Sequence, residues 1–107
     1  MRTDSDRVQD ILEAIARIES RTAVGQAVFE RDEMLQTWVV HHLEIVGEAA
    51  KGLSEDFRRR RPEIPWSAVA RMRDRLVHGY WDVDLKAVWQ VVVRDLGPLR
   101  ESVQRQP

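Results

Sequence analysis

The sequence predicts an all-α fold, an up-and-down bundle of about five helices, with residues 1–107 forming a single domain. Three observations lead there. Apolar residues recur at three- and four-residue steps almost everywhere, which is the period of one helix face, and no convincing strand appears. Thr, Ser and Asp stand at the starts of the periodic stretches, where a side-chain oxygen can satisfy the first free N–H groups. The 107 residues, 43% hydrophobic and 33% charged, are enough for one folded core and too few for two.

In the first helix, Val8, Ile11, Leu12, Ile15 and Ile18 form the apolar face. Thr3 or Ser5 caps its start, its end lies near Arg21, and Thr22 to Gly25 reads as a connection. The next helix is long, from about Asp32 to Leu53. Leu35, Val39, Leu43, Val46 and Ala50 make one apolar stripe, and Met34, Trp38, Ile45 and Ala49 make a second beside it. Together they exceed the single face that a surface helix buries. A helix apolar on two sides needs two partners, and in so short a chain a second copy of the protein is expected as one of them. Gly47, between the stripes, can let another backbone approach closely.

Ser54 is read as the cap of a short helix ending near Arg60, and Pro62 and Pro65 force an extended or turned connection. Ser67 is expected to cap a helix running to about Val77, broken by Gly79, with Tyr80 to Val83 as a loop. Asp84 caps the last helix, whose stripe is Leu85, Val88, Trp89, Val92, Leu96, Leu99 and Val103. Gly97-Pro98 should kink or fray it, because Pro98 has no N–H for the preceding turn.

The absence of cysteine excludes a disulfide scaffold, thiolate zinc sites and a Cys nucleophile. No apolar run approaches the roughly 20 residues of a membrane span, and Met1 to Asp10 is too polar for a signal peptide. A cytoplasmic location is therefore expected. The net charge of −1 excludes a polycation that binds nucleic acid by bulk attraction, but it averages two unlike halves. Residues 1–53 hold 6 basic and 10 acidic side chains, and residues 54–107 hold 11 basic and 8 acidic. The basic excess centres on Arg58, Arg59, Arg60 and Arg61, then on Arg71, Arg73 and Arg75. Such a surface suits a phosphate-bearing partner, although arginine runs at helix ends are also ordinary solvated surface.

No phosphate loop, GxGxxG, HExxH or GxSxG occurs, and adjacent His41 and His42 point about 100° apart on a helix, so no metal site or cofactor is expected. The informative segment is 71–81, which places Arg71, Arg73, Arg75, His78 and Tyr80 around a helix end. A histidine moves protons near neutral pH, and an arginine clamps a phosphate and stabilises its growing charge. RNA supplies its own 2′-hydroxyl nucleophile, so one His and one Arg suffice to cut it. On a regular helix Arg71, Asp74, Arg75 and His78 share the polar face, whereas Arg73 lies about 140° from His78. Either the helix unwinds at His78-Gly79 or the site is built across a dimer seam. In the competing reading Arg73 is satisfied by a carboxylate such as Glu48 or Glu44, and His78 merely ends a helix.

The segment Arg73, Asp74, Arg75-Leu76-Val77, His78, Gly79, Tyr80 resembles the Arg-x4-His-x-Tyr signature of the HEPN superfamily, specifically the HepT-like toxins. "ILEAIARIE" at 11–19, "LEIVGEAAKGLSEDFRRRRPEIPW" at 43–66 and "VWQVVVRDLGPLRE" at 88–101 are similar to the family too, so the resemblance covers almost the whole chain. It implies a homodimer with the motif helices flanking a cleft. It also implies a metal-independent endoribonuclease, the toxin of a toxin–antitoxin pair, leaving a 2′,3′-cyclic phosphate. By carry-over, Arg73 holds the scissile phosphate and His78 is the general acid/base; from the basic segment around them, Arg71 and Arg75 are expected to bind RNA phosphates. Asp74 takes a position where many relatives carry Asn. The antitoxin implied is a small MntA-like nucleotidyltransferase that attaches AMP to Tyr80, adding charge and bulk beside His78. The alternative is a non-catalytic HEPN interaction or nucleotide-binding module that partners a nucleotidyltransferase.

Overall fold

The computed structural model describes residues 2–78 and 84–105, with Val77 and His78 described by backbone alone. Helix α1 spans Asp4–Thr22, α2 Gln26–Phe29, α3 Glu33–Gly52, α4 Glu55–Arg59 and α5 Trp66–His78. A last helical run follows as α6 (Leu85–Gln90), a π-helical turn (Val91–Asp95) and α7 (Leu96–Gln104). Among the described residues there is no strand, and no helix is long and apolar enough to cross a membrane. The expected loop over Tyr80 to Val83, with Gly79 before it, lies outside the described residues.

Local sequence explains most boundaries. Thr3, not Ser5, caps α1, in a capping box where the Thr3 hydroxyl accepts from the Asp6 N–H and the Asp6 carboxylate accepts from the Thr3 N–H. Asp32 caps α3, Ser54 caps α4 and Asp84 caps α6. Helix α2, a single turn that periodicity over four residues cannot reveal, enters through Gly25 at φ +94° and seats Phe29 in the core against Trp89. Ser67 does not cap α5. The helix already begins at Trp66, and the Pro65 carbonyl accepts from the N–H groups of Ala68 and Val69. Trp66 fixes this entry by donating its indole N–H to the carbonyls of Arg58 and Arg61.

The last helix neither frays nor stops at Gly97-Pro98. Instead, the turn before the proline widens, with the Leu96 N–H reaching the Val91 carbonyl five residues back. A straight α-helix would crowd the Pro98 ring against the carbonyl one turn earlier, and the π turn relieves that conflict.

Helix α3 is central, packed on α1 along one side and on α5 along another, while the last helical run closes on α1. The core holds Ile11, Ile15 and Ile18 of α1, Val39, Leu43 and Val46 of α3, and Val88, Trp89, Val92, Leu96, Leu99 and Val103 of the last run. Two sides of α3 are thus covered within one chain, by α1 and by α5. Of the second stripe, Ala49 is buried. Trp38 is half-covered, over the His42 ring and beneath the Arg21 guanidinium, and Met34 remains 84% exposed.

Candidate active site

The site begins with a close approach of two helices. Gly47 on α3 faces Arg73 on α5, and a β-carbon at position 47 would stand 2.3 Å from the Arg73 β-carbon. Only hydrogen fits there, so α5 lies directly on the α3 backbone at this point. That contact sets the Arg73 guanidinium beside the residue after Gly47. Arg73 Nη2 is ion-paired with Glu48 Oε2 at 2.8 Å, and Nη1 donates to Asp74 Oδ1 at 3.2 Å. Lys51 Nζ, one turn beyond Glu48, donates to the same Asp74 oxygen at 3.2 Å. Lys51, Asp74, Arg73 and Glu48 therefore form a chain of alternating charge across the α3–α5 seam.

This chain defines Asp74. Hydrogen bonds from Arg73 and then Lys51 hold its carboxyl below the usual carboxylate range, so it stays ionised and neutralised by cations on both sides. Among the described contacts it pairs with Arg73 and Lys51. The pairing of Arg73 with Glu48 is the one that the competing reading of the sequence anticipated. Lys51 escaped that reading, although its position three residues after Glu48 on one helix face was a usable signal.

Arg73 is 25% exposed and opens into a pocket of about 290 Å³ on the α1–α3 side, whose wall includes Arg7, His41, Glu44, Ile45 and Glu48. On the other flank of α5, Arg71, Asp74 and Arg75 line a larger cleft of about 770 Å³, with an apolar floor from Leu43, Val46, Met72 and Val88. Arg71 and Arg75 are exposed. The α5 backbone stays helical through His78, so there is no unwinding before Gly79, and positions 73 and 78 remain about 140° apart around the axis. The His78 side chain and Tyr80 lie outside the described residues. His42 is buried with Nδ1 donating to the Trp38 carbonyl at 2.8 Å, whereas His41 is exposed.

The four-arginine run is not one surface. Arg59 and Arg60 are exposed and pair with Asp56. Arg61 is 3% exposed, stacked at 3.7 Å on the Phe57 ring, and donates to the carbonyls of Ser102 at 2.8 Å and Arg105 at 2.6 Å. It clamps the C-terminal end of α7, adding a second donor to the Ser102 carbonyl and one to the Arg105 carbonyl, a structural task invisible in the run itself.

The model of the family described as Ribonuclease HepT-like matches residues 11–106, a span that contains the whole Arg73-to-Tyr80 motif. The chain belongs to the HepT-like ribonuclease family. A protein named probable ribonuclease HepT from Thermococcus cleftensis is 41% identical over 107 residues, covering 97% of this chain and 96% of its own. An RNase-named protein of Caldanaerobacter subterraneus subsp. tengcongensis is 32% identical over 105 residues, covering 97% and 94%. Another, from Methanocaldococcus jannaschii, is 31% identical over 96 residues, covering 89% and 88%. No solved structure matches the chain. The HepT-like assignment agrees with the all-helical bundle and places the chain in the HEPN superfamily.

Proposed function

We propose that this HepT-like chain is a metal-independent endoribonuclease, the toxin of a toxin–antitoxin pair. The observation that carries the reading is Arg73, a guanidinium anchored by two carboxylates that still opens into a pocket. In the proposed reaction the His78 imidazole takes the proton of an RNA 2′-hydroxyl, and the 2′-oxygen attacks phosphorus while Arg73 holds the phosphate oxygens. The P–O5′ bond breaks and imidazolium returns a proton to the leaving oxygen, giving a 2′,3′-cyclic phosphate and a 5′-hydroxyl. Arg71 and Arg75 would bind flanking phosphates. Because positions 73 and 78 face different sides of a regular helix, the working site is proposed to draw on two copies of the chain. AMP transfer to Tyr80 by a partner nucleotidyltransferase would place charge and bulk two residues from His78 and block RNA.

Purified protein should cut RNA in the presence of EDTA, and His78→Ala should fold normally and lose the cut. Parental cleavage by His78→Ala would remove the catalytic assignment. Intact-mass analysis after co-expression with the partner tests Tyr80, since AMP increments should vanish in Tyr80→Phe.

One observation favours a second reading, that of a non-catalytic interaction or nucleotide-binding module. Glu48 and Asp74 offset the charge of Arg73 even before a phosphate arrives. That reading predicts no toxicity when the chain is expressed alone and full partner binding by His78→Ala.

A further inference from the structure

Arg73 has five N–H donors; Asp74 accepts one of them from Nη1, and the Glu48 carboxylate is ion-paired with Nη2 at 2.8 Å. We infer that Glu48 is a positioning residue for the ribonuclease site, fixing the plane in which Arg73 meets the scissile phosphate. The inference rests on the ribonuclease reading above. Three facts carry it. Glu48 follows Gly47, the position where α5 touches α3 most closely, so the Glu48 carboxylate is brought to the guanidinium by backbone packing. Glu48 is 58% exposed and Arg73 25%, so the pair contributes little to stability, and its geometry is better explained by orientation than by folding. Glu48 and Arg73 also line the same 290 Å³ pocket, so the anchored guanidinium and its anchor border the space a phosphate would enter.

A guanidinium held by a carboxylate at each terminal nitrogen keeps one orientation, with N–H donors left for phosphate oxygens. Glu48 also places a negative charge beside the phosphate, which weakens ground-state binding. Its loss should therefore act in opposite directions on the two kinetic constants. Glu48→Gln should lower kcat about tenfold through misorientation while lowering KM about threefold through relief of repulsion. A merely structural lesion would reduce kcat in proportion to the unfolded fraction and leave KM alone.

The test is RNA cleavage by the parent, Glu48→Gln and Glu48→Asp, together with side-chain ¹⁵N NMR of the Arg73 guanidinium, assigned with Arg73→Lys. Glu48→Asp should recover part of kcat. Rotation about the Arg73 guanidinium bonds should be slowed in the parent and faster in Glu48→Gln. Parental kcat and KM in Glu48→Gln, or an Arg73 signal indifferent to it, would overturn the inference. A parent protein that cuts no RNA sinks the ribonuclease reading, and the NMR comparison still decides whether Glu48 restrains Arg73.

Discussion

Arg73 rests on Gly47 with no room for a β-carbon between the two helices, since a Cβ at position 47 would lie 2.3 Å from Arg73 Cβ and 2.8 Å from its Cγ. Gly47→Ala must therefore push α5 off α3, and the neighbouring atoms belong to the root of the side chain, which cannot swing away. The expected cost is about 1–3 kcal/mol of stability by urea denaturation. Gly97→Ala is the control. It meets nothing nearer than Arg100 Nη2 at 4.0 Å and should be neutral or stabilising by roughly 0.5–1 kcal/mol. Equal losses at both positions would deny the close approach.

Arg61 should matter more to folding than its three arginine neighbours. Arg61→Ala removes the donors that serve the Ser102 and Arg105 carbonyls and is expected to cost about 2–3 kcal/mol. Arg59→Ala, at an exposed surface ion pair, should stay within about 0.5 kcal/mol. Thermal unfolding of the two variants side by side separates the roles. If the whole run were an RNA surface, the two would behave alike in stability.

Acid sensitivity should have a named contributor. Hydrogen bonds from the Ser102 hydroxyl and Arg105 hold the Glu63 carboxyl down at about 2, from an ordinary 4.5. A carboxyl depressed in the folded state stabilises it above the unfolded value, and the benefit is lost as pH falls from 4.5 through about 2. Glu63→Gln should therefore flatten the stability profile across that window and leave the profile above pH 5 parallel to the parent's. A parallel offset through the acid limb as well would reject the assignment.

Two copies are expected in the working unit. That argument now stands on the angular gap between positions 73 and 78 and on what remains uncovered of the second α3 stripe, Met34 and half-buried Ile45. Ile45→Glu puts a charge into that face and should shift sedimentation at micromolar concentration from dimer toward monomer, because an unpaired charge is costly to bury. A parent that already sediments as a monomer would end the dimer proposal.

The elements were largely legible because their causes are local. Thr3, Ser54 and Asp84 cap N–H groups two or three residues away, and the apolar period reports which face turns inward. One local signal misled: Ser67 looked like a cap, but Pro65 had already started the helix. Pro98, read as a kink or a frayed end, is met by a wider turn before it.

The sequence by itself determined an all-helical domain, nearly all of its helix boundaries, and the motif that marks the HepT-like family. Only the tertiary structure decided which charges meet. Glu48 and Arg73 are 25 positions apart, and Arg61 lies 41 and 44 residues from the carbonyls it serves. Whether such groups pair depends on how helices dock, and docking is settled by the shape of small contacts such as Gly47 against Arg73. A run of like side chains in the sequence carries no trace of that shape, so Arg61 and Arg59 read alike until the helices are packed.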